Sequence, residues 1–220
     1  MANNMREVVA ALVLVLAALA FFCRPVWAGF GSPEVGAILA DKYGCPRCHG
    51  PAGQSSEEII PDLAGQNARY LAKQLFAFRD SGLHRPRGFP LPERHDGSMD
   101  RKAMDLSDGE IDDLAAYFAS LSCRAENAMP DAPMPDLARR CFTCHGRAGR
   151  TRYRDLPNLA GQNAGYMARQ LFVLRESAWD MPLDDPRRKR LHPMMTPQAD
   201  MIDDANIYNL SAYFSVMSCF

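Results

Sequence analysis

An all-α fold in two tandem, duplicated domains is what three features of this 220-residue chain predict. The first is self-similarity at one fixed offset. Leu63-Ala64-Gly65-Gln66-Asn67-Ala68-Arg69-Tyr70 returns as Leu159-Ala160-Gly161-Gln162-Asn163-Ala164-Gly165-Tyr166, 96 residues later. The pentapeptide Cys45-Pro46-Arg47-Cys48-His49 returns as Cys141-Phe142-Thr143-Cys144-His145 at the same offset, and Ala116-Tyr117-Phe118 as Ala212-Tyr213-Phe214. The second feature is helical periodicity in both copies. The third is the lack of a convincing alternating strand pattern.

Residues 1–28 read as a secretory signal peptide. Arg6 supplies a positive start, Val8 to Phe22 is free of charge, and Val26-Trp27-Ala28 offers a small-residue cleavage site. The alternative is an uncleaved anchor, although about 15 apolar residues fall short of the roughly 20 that a span needs. Cleavage after Ala28 would leave residues 29–220, whose length equals two registers of 96. The first domain is then expected at 29–124 and the second at 136–220. Between them, residues 125–135 carry Pro130, Pro133 and Pro135, which oppose helix and favour an extended linker.

Within the first domain, Tyr70, Leu71, Gln74, Leu75 and Phe78 suggest an amphipathic helix, copied at Tyr166, Met167, Gln170, Leu171 and Val173-Leu174. Ser107 and Glu110 form a capping box ahead of a second stripe, Ile111, Leu114, Ala115, Phe118 and Leu121. Its copy starts at Asp203 and runs through Ile207, Leu210, Ser211, Phe214 and Met217. Each half is small for a self-sufficient core, so a large apolar cofactor would help to fill it.

Cys-x-x-Cys-His is the spelling of covalent c-type haem attachment. Two thiols three residues apart share one side of a helical turn, and the histidine that follows reaches iron as its proximal ligand. Cys45, Cys48 and His49 therefore predict one covalently bound haem c, and Cys141, Cys144 and His145 a second. A zinc or dithiol site is the non-haem alternative. The net charge of −1 gives no support to nucleic-acid binding. Export suits the cofactor, because c-type haem is attached outside the bacterial cytoplasm. A periplasmic protein, soluble once processed, is expected.

The second axial ligand separates electron transfer from ligand chemistry. A true ligand should occur in both halves at the same offset. His84, His95 and His192 fail, since their counterparts are Asp180, Leu191 and Asp96. Among the methionines only Met99 and Met195 pair, each 50 residues after its histidine and each expected in a loop. Two six-coordinate His/Met haems follow, and His/Met ligation raises the reduction potential. No acid, base or nucleophile is needed, so an electron carrier rather than an enzyme is expected.

These paired motifs resemble the cytochrome c4 family, exported two-haem proteins built from two class I cytochrome c domains. The resemblance covers nearly all of residues 29–220 and implies iron ligation by His49 and Met99, and by His145 and Met195. It also implies that the Pro61 and Pro157 carbonyls accept the second N–H of each proximal histidine, although both prolines could simply end a loop. As partners it implies a quinol-oxidising complex or a periplasmic dehydrogenase as donor and a terminal oxidase as acceptor. A cytochrome subunit of a sulfide- or alcohol-oxidising dehydrogenase would share every haem residue. A two-haem peroxidase would need an open or His-switched iron.

Two features depart from the family pattern. Basic runs, His84-Arg85-Pro86-Arg87 and Arg187-Arg188-Lys189-Arg190, precede the methionines. They are solvated loops, a docking surface or a pairing site for haem propionates. Cys123 and Cys219 lie outside the haem motifs, again 96 apart. They could bridge the two domains, stay buried as thiols, or link two molecules.

Overall fold

The computed structural model describes residues 31–82, 94–124, 128–129, 131–177 and 190–219. The proposed signal segment 1–28, His84, the run at 85–87, residues 187–189 and part of the linker, 125–127 and 130, lie outside the described residues.

In the first half, α1 (Pro33–Lys42) starts where Ser32 accepts the Val35 N–H and Pro33 occupies the first helical position. Gly44, at φ +69°, breaks the chain before the short α2 (Pro46–His49). Then follow α3 (Ala68–Gly82), α4 (Gly97–Ala103) and α5 (Asp108–Ser120). The expected capping box is present: Ser107 Oγ accepts the Glu110 N–H while Glu110 accepts the Ser107 N–H. These bonds, with one from Tyr43, hold the Glu110 carboxyl down to about 2. The apolar stripe packs inward, with Ile111, Leu114, Ala115 and Phe118 buried against α1 and α3.

The second half repeats this order with α6 (Ala138–His145), a 3₁₀ turn (Arg147–Gly149), α7 (Ala164–Glu176), α8 (Met195–Asp200) and α9 (Asp204–Ser215). Asp203 caps α9 by accepting the Asn206 N–H. Ile207, Leu210, Ser211, Phe214 and Met217 are buried, as the stripe requires.

The copies differ at their starts. Among the described residues no helix corresponds to α1; residues 131–137 run without helix, and α6 continues unbroken into the second motif. Pro130, Pro133 and Pro135 explain the loss, since each lacks an N–H and disfavours helix before it. Arg139-Arg140 stands where the first half has Tyr43-Gly44, so nothing breaks the turn ahead of Cys141. The segment is not a free tether. Ala132 and Met134 pack on the second core, and the Met129 N–H donates to Val216 O at 2.7 Å.

Where α1 crosses α5, the backbones touch at Gly36. A Cβ there would lie 2.0 Å from Asp113 O and 2.6 Å from Tyr117 Cβ. Gly36→Ala must push two helices apart, and overpacking of this kind costs about 2–3 kcal/mol. A urea melt should show that loss. An unchanged midpoint would mean that α1 does not press on α5.

Of the three fates open to Cys123 and Cys219, the structure takes the intramolecular one. They form a disulfide between the halves, with Cα atoms 6.4 Å apart. The bridge explains the glycines of the repeated Leu-Ala-Gly-Gln. Gly65 and Gly161 sit at φ +68° and +70°, and a Cβ would come within 2.8 Å of Cys123 Cβ or 3.2 Å of Cys219 Sγ. Only glycine fits both the left-handed backbone and the approaching bridge. Among the described residues the one β-type contact is an isolated antiparallel bridge, Arg94 to Arg190, also between halves. No described helix is long and apolar enough to cross a membrane.

Candidate functional site

Each half holds its motif on one tight helical turn. The Cys48 and His49 N–H groups donate to Cys45 O at 3.3 and 3.1 Å, which sets the two thiols and the imidazole around a single turn. Cys45 packs against the first core and Cys141 against the second, while Cys48 and Cys144 are exposed. Burial pushes the Cys45 and Cys141 thiols up, and all four motif cysteines are free.

His49 and His145 are only 7% and 6% exposed. His49 Nδ1 lies 2.9 Å from Pro61 O, and His145 Nδ1 lies 3.1 Å from Pro157 O. A carbonyl can only accept, so each Nδ1 carries the proton and each Nε2 keeps its lone pair. Burial lowers both imidazole pKa values, with Arg94 adding its charge at His49 and Arg190 at His145; the proline carbonyls act the other way. The result is a neutral imidazole, the form that binds a metal.

The loop carrying each proline is anchored to its motif. Ser55 Oγ donates to Cys48 O at 2.8 Å and the Ser55 N–H to Asp62 Oδ1 at 2.7 Å. Thr151 Oγ1 and its N–H repeat these bonds to Cys144 O at 2.7 Å and Asn158 Oδ1 at 3.1 Å. Burial pushes the Asp62 carboxyl up, although the Ser55 N–H and Arg124 both favour its charged form.

The two methionines do not lie in loops. Met99 falls in the first turn of α4, and Met195 is the first residue of α8. The sequence hides these turns because they span seven and six residues, too short for periodicity to register. Their caps are chemically different but occupy equivalent positions. Asp96 accepts the Ser98 and Met99 N–H groups, and His192 Nδ1 accepts those of Met194 and Met195. Thus His192, considered above as a ligand, serves to hold Met195. His95 instead faces the Asp100 carboxylate and the Ser81 hydroxyl. Met99 packs on the first core.

The interface between halves uses residues that the sequence offered as register marks (Gln66, Asn67, Gln162, Asn163), as helix residues (Tyr70, Gln74, Tyr166, Gln170) and, for Arg190, as the end of a basic run. Gln162 Nε2 donates to Asp62 O, and the Asp62 N–H donates back to Gln162 Oε1, both at 2.8 Å. Gln66 makes the same pair with Asn158, at 2.9 and 2.8 Å. Asn67 and Asn163 reach Leu156 O and Ile60 O, each at 2.7 Å. Arg94 donates to Gln74 and across the interface to Tyr166; Arg190 donates to Gln170 and across to Tyr70. Burial would weaken the Arg94 charge, but the facing phenolic oxygens of Tyr166 and Tyr70 hold its pKa raised. A signal was present in the sequence, since every one of these pairs obeys the 96-residue offset.

The residues of each half fit a covalently attached haem c. Two unpaired thiols flank one turn, a buried imidazole offers one oriented lone pair, and an apolar core lies beside the thiols. Comparison with known proteins agrees. The cytochrome c family model matches residues 34–122 and 136–218. Cytochrome c4 of Thiocapsa roseopersicina is 31% identical over 206 residues, covering 86% of this chain and 94% of that protein. A thiosulfate dehydrogenase electron acceptor of Stutzerimonas stutzeri is 29% identical, covering 78% of this chain and 77% of that protein. The crystal structure of reduced recombinant cytochrome c4 from Pseudomonas stutzeri matches with a TM-score of 0.66 at 29% identity, covering 86% of this chain and all of that one. The chain thus belongs to the cytochrome c4 family, electron-carrier cytochromes with two covalently bound haem c groups.

Proposed function

We propose that this chain is a periplasmic shuttle that accepts electrons from a quinol-oxidising complex or a periplasmic dehydrogenase and passes them toward a terminal oxidase. In this reading Cys45 and Cys48 attach one haem and Cys141 and Cys144 the other. His49 with Met99 and His145 with Met195 would ligate the two irons. The observation that carries it is the duplicated cradle, a buried imidazole whose Nδ1–H is fixed on a proline carbonyl so that only Nε2 is left to bind.

When bound, each haem supplies a one-electron couple whose potential follows its axial ligands. The chain's own residues do the rest. Pro61 and Pro157 fix the ring orientation and tautomer, and the Asp96 and His192 caps hold the turn that presents each thioether. Two neutral protein ligands per site leave no position for oxygen or peroxide, which favours transfer over catalysis. The disulfide and the crossed amide bonds keep the halves in register. Export is supported by the charged start, apolar run and small-residue end of residues 1–28.

A second reading makes the chain the dedicated partner of one dehydrogenase of sulfur compounds, with no quinol-oxidising complex as donor. What favours it is the likeness to a thiosulfate dehydrogenase electron acceptor. Stopped-flow reduction of the purified ferric protein separates the readings. Rapid reduction by a quinol-oxidising complex, with none by thiosulfate dehydrogenase and thiosulfate, would support the first; the reverse would support the second. Stable co-purification with a catalytic subunit would contradict a freely diffusing shuttle.

A further inference from the structure

One peptide group stands between each proximal histidine and the opposite half of the molecule. In the first half its carbonyl is Pro61 O, which accepts the His49 Nδ1–H at 2.9 Å. Its N–H is that of Asp62, which donates to Gln162 Oε1 at 2.8 Å. The copy runs the other way: Pro157 O accepts from His145 Nδ1 at 3.1 Å, and the Asn158 N–H donates to Gln66 Oε1 at 2.8 Å. Both glutamines are buried, and each closes a second bond back, Gln162 Nε2 to Asp62 O and Gln66 Nε2 to Asn158 O.

An amide is polarised through its own resonance. An acceptor on its N–H draws electron density toward its oxygen, so hydrogen bonds in series strengthen one another. A stronger oxygen pulls harder on the Nδ1–H and makes the imidazole a more basic ligand. A more basic nitrogen favours ferric over ferrous iron and lowers the potential. Burial of the Asp62–Gln162 pair sharpens the effect on the His49 side, while the Asn158–Gln66 pair is partly buried.

We propose that Gln162 and Gln66 are positioning residues that set, across the interface, the basicity of the opposite half's proximal histidine. Gln162 tunes the haem held by His49, and Gln66 the haem held by His145. This rests on the axial ligation proposed above. It explains why the repeat carries a buried glutamine in both copies, where Asn67 and Asn163 already tie the halves together. It also makes each potential depend on docking, so that a half prepared alone would not reproduce its value in the whole protein.

The test uses the intact holoprotein, in which the chain and the Cys123–Cys219 bridge keep the halves together. Potentiometric titration followed by the haem-methyl resonances reads each haem separately. Gln162→Leu is expected to raise the midpoint of the haem attached at Cys45 and Cys48 by the equivalent of about three- to tenfold in its ferric-to-ferrous ratio. The other haem should stay near its original value. Gln66→Leu should give the reverse pattern. Gln162→Glu keeps an acceptor oxygen for the Asp62 N–H but loses the donor to Asp62 O and adds a charge, so the first haem's midpoint should fall well below that of Gln162→Leu. Asn67→Ala removes the bonds to Leu156 O and Tyr153 O across the interface but touches neither relay, so neither midpoint should move. Equal shifts in both haems, a shift confined to the glutamine's own half, or the same response to Asn67→Ala would overturn the proposal. Failure of the ligation reading would appear separately, as a wild-type spectrum without low-spin His/Met haem.

Discussion

Removing the Cys123–Cys219 bridge is expected to cost about 4–5 kcal/mol of stability, the value the chain-entropy relation gives for a closed loop of about 100 residues. The disulfide spans 96 residues and joins the ends of the two closing helices. Without it, only the chain between the halves and the interface contacts oppose their separation. Those contacts are largely amide hydrogen bonds, each worth a net ~1 kcal/mol because water competes for the same groups once the halves part. The double variant Cys123→Ser/Cys219→Ser should therefore lower the denaturant midpoint. It should also split the melt, with the halves unfolding as separate steps. Glycine would still be required at positions 65 and 161, because the Cβ of residue 123, the Arg124 carbonyl and the positive φ all remain. A variant with the wild-type midpoint and a single transition would show that the bridge contributes nothing to docking. Two free thiols in the unreduced wild type would show that it does not form.

Met195→Ala is expected to lower the potential of the second haem markedly and to leave the first close to its original value. The thioether is a soft, neutral ligand that favours reduced iron, so its loss favours the oxidised form. The vacated axial position should then admit small ligands such as azide at one haem of the two. His192 would still cap the start of α8, since its bonds run to backbone N–H groups and not to the thioether. The substitution therefore removes a donor atom without removing the turn that carried it. An unchanged potential would transfer the role to Met194, which is adjacent and 64% exposed. Only Met195, however, has a partner in the first half, at Met99.

The longer helices were legible because their apolar residues recur at helical spacing over three turns or more. That holds for α3 and α7, and for α5 and α9, whose stripes fill the two cores. The Ser107–Glu110 box marked the start of α5 for a local reason, the pairing of side chain and backbone three residues apart. The turns at Met99 and Met195 were not legible. Each is too short to show a period, and the cap is aspartate in one copy and histidine in the other. The prolines at 130, 133 and 135 argue against helix, but they do not say that the segment lays Ala132 and Met134 on the second core. That depends on contacts far along the chain. The crossed glutamines lay in plain view within the repeat, yet their partners sit 92 to 100 residues away. No local pattern announces such a bond. Two buried amides at the same register in both copies are the trace it leaves.

The disulfide illustrates the same boundary. The 96-residue offset named Cys123 and Cys219 as a pair of equivalents, but equivalence by duplication does not place two residues side by side. Here it does so because the halves dock across an approximate twofold relation. Residues near that axis then meet their own copies, Cys123 with Cys219 and Arg94 with Arg190.

The near-infrared spectrum of the ferric holoprotein, normalised to haem content, tests the central claim most directly. The account predicts two haems per chain, both low-spin, each contributing the weak sulfur-to-iron band. A single equivalent of that band, its absence, or a high-spin signature at either haem would contradict duplicated His/Met ligation.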